Sequence, residues 1–146
     1  MTDLRDADHA TRLRPDSIRT WYVAARIAER GSALTDVDAA IARAERGLQQ
    51  SPGDPALRGL RADLLVERAV RSGLDDDRAR ARQVVTQYLR EAPEDPQLWL
   101  DRAEVAHLDG DAGEERDATA RATHLQPDIS SDARPQAARR NPAEKS

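Results

Sequence analysis

Ser51-Pro52-Gly53-Asp54-Pro55 returns 41 residues later as Ala92-Pro93-Glu94-Asp95-Pro96. In each copy the first proline blocks helical continuation, the aspartate caps the next helix, and the second proline takes that helix's first position, where its fixed φ is an advantage. The pentapeptide therefore stops one helix and starts another. Pro127-Asp128 repeats the stop 34 residues after Pro93, and Pro15-Asp16 precedes Pro52 by 37. Punctuation at intervals of about 34 residues, with one longer unit, predicts stacked helical hairpins.

Each segment between stops splits into two amphipathic stretches around a turn. Ile18, Trp21, Ala25 and Ala28 fall at spacings of three or four, as do Val37, Ala40, Ile41, Ala44 and Leu48 beyond Gly31-Ser32. Thr35 or Asp36 can cap the second of these helices. The next unit carries Leu57, Leu60, Leu64 and Leu65, a break at Ser72-Gly73, and then Ala81, Val84, Val85 and Tyr88. Its seven additional residues are expected in a loop around Leu74 to Arg78. The third has Leu98, Trp99, Ala103 and Ala106, a break at Asp109-Gly110, and a polar final helix with Ala118, Ala122 and Leu125. Such periods place apolar residues on one face of a helix.

Composition agrees with an all-α chain. Of 146 residues 26 are Ala and 22 are Arg, both strong helix formers, while aromatics make up 3% and Phe is absent. The hydrophobic share of 38% suits hairpins that each need only a thin apolar seam. A net charge of −4 argues against bulk attraction to nucleic acid, and the absence of cysteine excludes disulfides and thiolate chemistry. The longest apolar run, Trp21 to Ala25, is far short of the roughly 20 residues of a spanning helix. With no secretory signal pattern at the N-terminus, a cytoplasmic location is expected.

These units resemble the tetratricopeptide repeat family, a 34-residue helix-turn-helix repeat with a patterned set of Trp, Leu, Gly, Tyr, Ala and Pro positions. Trp99, Ala103, Ala106, Gly110, Ala122, Leu125 and Pro127 occupy matching places in the third unit. Trp21, Ala25, Ala28, Ala40, Ala44 and Pro52 do so in the first, and Ala62, Leu65, Ala81, Val85 and Pro93 in the second. The resemblance implies a helical-hairpin solenoid of about three repeats over residues 15–127. Ala10-Thr11-Arg12-Leu13-Arg14-Pro15-Asp16 matches Ala122-Thr123-His124-Leu125-Gln126-Pro127-Asp128 at five of seven positions, so residues 1–14 read as half a repeat, a capping helix. Residues 128–146, with Pro135, Pro142 and no apolar period after Ile129, read as a disordered tail. Its Arg134, Arg139, Arg140 and Lys145 are nearly balanced by Asp128, Asp132 and Glu144, which favours a solvated tail over a nucleic-acid or lipid contact.

No stretch carries a catalytic signature. Asp75-Asp76-Asp77 complements the start of a helix better than it matches a metal loop, since no distal ligand follows at EF-hand spacing. His107 with Asp109 lacks a third ligand at helical spacing, and nucleophile elbows and phosphate-cradling glycine loops are missing. The chain reads as non-enzymatic, without catalytic residues, metal or cofactor.

What remains is a surface. In the repeat family the first helices of successive units line a concave groove, and the resemblance carries this inner face onto Tyr22, Arg26 and Arg30, then Asp63, Val66 and Glu67, then Leu100, Glu104 and His107. One end is cationic and the other acidic and apolar, implying a scaffold that binds a peptide or partner helix of mixed charge. Self-association through open solenoid ends is also expected. A second resemblance, to soluble tails of bacterial O-antigen ligase-type membrane proteins, implies an accessory segment of a polysaccharide-assembly protein instead.

Overall fold

The computed structural model describes residues 33–129. Among them every regular element is an α-helix: α1 (Leu34–Gln50), α2 (Pro55–Ser72), α3 (Asp75–Glu91), α4 (Pro96–Leu108) and α5 (Ala112–Leu125). The capping helix expected over residues 1–14, the helix expected around Ile18 to Ala28, and the tail past Ile129 lie outside the described residues.

The proline-bearing joints repeat in atomic detail. Where α1 ends, the Ser51 N–H donates to the Gly47 carbonyl at 3.0 Å and the Asp54 N–H to the Ser51 carbonyl at 3.1 Å. After α3 the same pair runs from Ala92 to Tyr88 at 2.8 Å and from Asp95 to Ala92 at 3.2 Å. After α5 it runs from Gln126 to Ala122 and from Ile129 to Gln126, both at 2.9 Å. Each pre-proline residue leaves its helix with nearly the same backbone: φ −140° and ψ 82° at Ser51, −137° and 67° at Ala92, −142° and 91° at Gln126. The ring of the following proline disfavours α geometry at that residue, which forces the exit. The aspartates then act as expected. Asp54 Oδ2 accepts from the Leu57 N–H at 2.9 Å, and Asp95 Oδ1 accepts from Gln97 and Leu98 at 3.0 and 3.4 Å. The third joint has Ile129 where the first two have aspartate.

Two local expectations shift. The seven additional residues of the middle unit do not form a loop. Only Gly73 and Leu74 separate α2 from α3, and the extra length lies in the helices, 18 and 17 residues against 13 and 14 in α4 and α5. Nothing between Leu74 and Arg78 breaks a helix, and the three aspartates fill the first turn of α3, where the helix dipole favours them. At the other end, α1 begins at Leu34, so Asp36 sits in its first turn and accepts from the Ala33 N–H at 3.3 Å rather than preceding the helix.

The chain divides into two compact units between Leu64 and Leu65, within α2. In the first, α1 buries Val37, Ala40, Ile41, Ala44 and Gly47 along one stripe, and the first half of α2 buries Leu57, Leu60, Ala62 and Leu64. Arg61 Nε meets Glu45 Oε2 at 3.0 Å. In the second unit α4 packs against both α3 and α5. Its core holds Ala81, Val84, Val85, Tyr88 and Leu89 from α3, with Leu98, Leu100, Ala103, Val105 and Ala106 from α4. The only buried residues of α5 are Ala118 and Ala122, spaced to share a face and small enough for a close approach to α4. Gly110, at φ 77°, turns the chain between α4 and α5 in the left-handed region, and Asp111 then caps α5 by accepting from the Glu114 N–H at 3.0 Å.

Candidate functional site

Six of the nine residues assigned to an inner face fall within the described part; Tyr22, Arg26 and Arg30 lie outside it. Asp63 is half-buried on α2. Further along that helix Val66 is fully buried and Glu67 is 2% exposed. On α4, Leu100 and Glu104 are each 2% exposed, and His107, one residue from the helix end, is exposed. The structure therefore places Val66, Glu67, Leu100 and Glu104 under cover and His107 at the surface.

The buried acids are held in an organised way. Glu67 Oε1 accepts from Arg71 Nη2 at 2.7 Å, one helical turn on, with side chains only 3% and 9% exposed. A pair so far from water gains strength from the low local dielectric, and loss of either partner leaves a costly lone charge. Glu104 is accompanied on α4 by Asp101, fully buried and also engaged in polar interactions. Sequence reasoning did not single out Asp101. The apolar periods of α4 point to Leu98, Trp99, Ala103 and Ala106, yet Leu100, Asp101, Glu104 and Val105 are buried too. A helix with its long axis covered on all sides has no single apolar stripe for the sequence to reveal.

His107 does not pair with Asp109. Its Nδ1 lies 3.2 Å from Glu115 Oε1 on α5, while Asp109 belongs to another constellation. Arg82 of α3 donates from Nε and Nη2 to Asp109 Oδ2 at 2.9 and 2.7 Å, and from Nη1 and Nη2 to Glu114 at 3.0 and 2.8 Å. Arg102 Nε reaches Glu114 at 3.9 Å, and Arg78 Nη1 donates to the Leu108 carbonyl at 3.0 Å. The Glu114 hydrogen bond, reinforced by Asp109, holds the Arg82 guanidinium far above its usual proton affinity, against the smaller opposing effect of burial. These contacts fasten α3 to the α4–α5 turn from residues 27 and 32 positions apart, a separation at which sequence alone shows no pairing.

Two of the three aspartates at the start of α3 are likewise occupied within the chain. Asp77 accepts from Ser72 Oγ at 2.6 Å and faces Arg68 at 3.4 Å, and Asp75 pairs with Arg78. Among the described residues no group of three or more His, Asp or Glu side chains is arranged to hold a metal ion. No helix there is long and apolar enough to cross a membrane. Trp99 donates its indole N–H to the Pro93 carbonyl at 2.8 Å and lies under the Arg102 guanidinium, 5.6 Å from the ring centroid, which pins the start of α4 to the joint before it.

No protein-family model matches this chain, and no curated protein matches it in sequence.

Proposed function

We propose that the chain is a non-enzymatic interaction module of tetratricopeptide-like repeats, stacked as helical hairpins, that binds a peptide or partner helix along the inner face of its first helices. The observation that carries this reading is the threefold recurrence of one joint, with matching hydrogen bonds and exit angles at Ser51, Ala92 and Gln126. Joints that repeat in hydrogen bonding and exit angle favour a regular stack of helix pairs, and such a stack presents a preformed surface that lowers the ordering cost of binding.

The test is capture of partners from the native host with the wild-type chain beside a variant combining Tyr22→Ala, Arg26→Ala and Glu104→Ala. The expected result is one or more proteins lost from the variant while its thermal unfolding stays cooperative. Identical partner sets, or none in either, would remove the reading.

A further inference from the structure

Asp109-Gly110 turns the chain from α4 into α5, and of 18 aspartates in the sequence Asp109 alone is followed by glycine. Aspartate before glycine has a chemistry of its own. With no Cβ on the next residue to crowd it, the following amide nitrogen can close on the side-chain carboxyl carbon and form a five-membered succinimide ring. The bond formed joins Gly110 N to Asp109 Cγ; the bonds broken are Gly110 N–H and the C–OH of the neutral Asp109 carboxyl, whose hydrogen and hydroxyl leave together as water. A second water then opens the ring. Attack at Cγ restores aspartate, whereas attack at the Asp109 main-chain carbonyl carbon leaves the chain running through Cγ, an isoaspartate of unchanged mass. Neither oxidant nor reductant enters the balance.

In the folded turn each reacting group is held out of position. Asp109 lies in the right-handed helical region at φ −81° and ψ −5°, whereas ring closure needs the Gly110 nitrogen eclipsed with Cβ, at a ψ far from that value. The Gly110 N–H donates to the His107 carbonyl at 3.1 Å and the Asp111 N–H to the Ala106 carbonyl at 2.9 Å, the paired bonds of a Schellman ending. The carboxyl itself is held from another helix, since Arg82 Nε and Nη2 both donate to Oδ2, at 2.9 and 2.7 Å. Water is nonetheless at hand: the Asp109 side chain is about one third exposed, and nothing lies within 4 Å of a Cβ added at Gly110. We propose that Asp109-Gly110 is a site of spontaneous isoaspartate formation, and that Arg82 is the latch that keeps the reaction slow in the folded chain. Reaction requires local opening of the turn, so its rate follows the open fraction. The product cannot close the latch again. Its main chain is one methylene longer and its carboxylate sits directly on Cα, so the tie between α3 and the α4–α5 turn, once lost, stays lost.

The test is timed incubation of the full-length chain at physiological temperature in mildly acidic buffer, with trypsin digestion and mass spectrometry of the peptide from Ala103 to Arg116. Isoaspartate appears as a second peak of equal mass, its position assigned by electron-transfer fragmentation, and the ring as a peak lighter by one water. Wild type in urea sets the unlatched rate. In native buffer wild type is expected to react far more slowly, and Arg82→Ala about fivefold faster than wild type, with the two equal in urea. Asp109→Glu should remove the second peak. Arg82→Lys should fall between alanine and wild type, and it decides the question by itself if the alanine variant does not fold. Asp95→Ala, which weakens the far end of α4 and leaves the latch intact, should react at the wild-type rate. No second peak from wild type in urea would overturn the site. Equal native rates for wild type and both Arg82 variants, or an Asp95→Ala chain that reacts as fast as Arg82→Ala, would overturn the latch.

Discussion

Replacing Arg82 by alanine should loosen the attachment of α3 to the α4–α5 turn, and the size of the effect follows from the geometry. Four hydrogen bonds of 2.7–3.0 Å connect one guanidinium to Asp109 and Glu114, both in forked arrangements. Arg82 and Asp109 are each about one third exposed and Glu114 less so, which places the cluster between a surface pair and a buried one. Exposed pairs contribute roughly 0.2–1 kcal/mol, and a forked network with one shielded carboxylate reaches about 1–2 kcal/mol in total. Arg102 at 3.9 Å remains beside Glu114 in the variant and limits the loss. The matching drop in Tm is about 3–6 °C for a chain of this size. The assay is urea denaturation followed by far-UV circular dichroism, run as a double-mutant cycle of Arg82→Ala with Glu114→Ala at low salt and again at about 1 M salt, where the Debye length shrinks to roughly 3 Å. A coupling energy near 1 kcal/mol that falls by about half in salt is expected. Arg82→Lys should recover only part of it, since an ammonium cannot span both carboxylates as a fork. A coupling indistinguishable from zero at low salt would show that the cluster is a surface ornament and refute the reasoning.

Two glycines should respond in opposite directions to the same change. Gly59 lies inside α2 with nothing within 4 Å of an added Cβ, so Gly59→Ala should raise stability by up to about 1 kcal/mol, whereas Gly110→Ala, at φ 77°, should lower it by about 1 kcal/mol. Thermal melts of the two variants check this, and a melt in which both move the same way contradicts it. Asp95→Ala removes the acceptor for the Gln97 and Leu98 amides and should cost about 1 kcal/mol, with Asp95→Asn losing less; equal losses from Ala and Asn would show that the side chain is not acting as a cap.

The joints were the most readable part of the chain, because proline and aspartate act through their own backbones and immediate neighbours. Pro52, Asp54, Pro93 and Asp95 each do locally what their chemistry dictates, and the breaks at Gly73 and Gly110 fall where the turns are. Helix lengths were harder to read. Leu74 to Arg78 looks polar enough for a loop, but an acidic first turn is also what a helix start requires, and only packing along the whole of α3 decides between them. The resemblance alone put Leu100 and Glu104 on an inner face, and their burial depends on packing that the spacing within α4 does not show. Asp101 gave no signal, since a lone acid in a helix is ordinarily solvated. The Arg82 cluster was invisible for a related reason, as arginines and acids are so frequent here that no single pair stands out.

The recurring joint also bears on how such a chain changes over generations. Its instructions are contained in a handful of consecutive residues, and the hydrogen bonds it makes reach only the preceding turn of helix and the first turn of the next. A duplication or deletion whose ends fall at equivalent points of two joints therefore alters the number of helices without creating a turn that has to be invented anew. The same property makes Pro52, Pro93 and Pro127 natural splice points for lengthening the protein in the laboratory, two helices at a time.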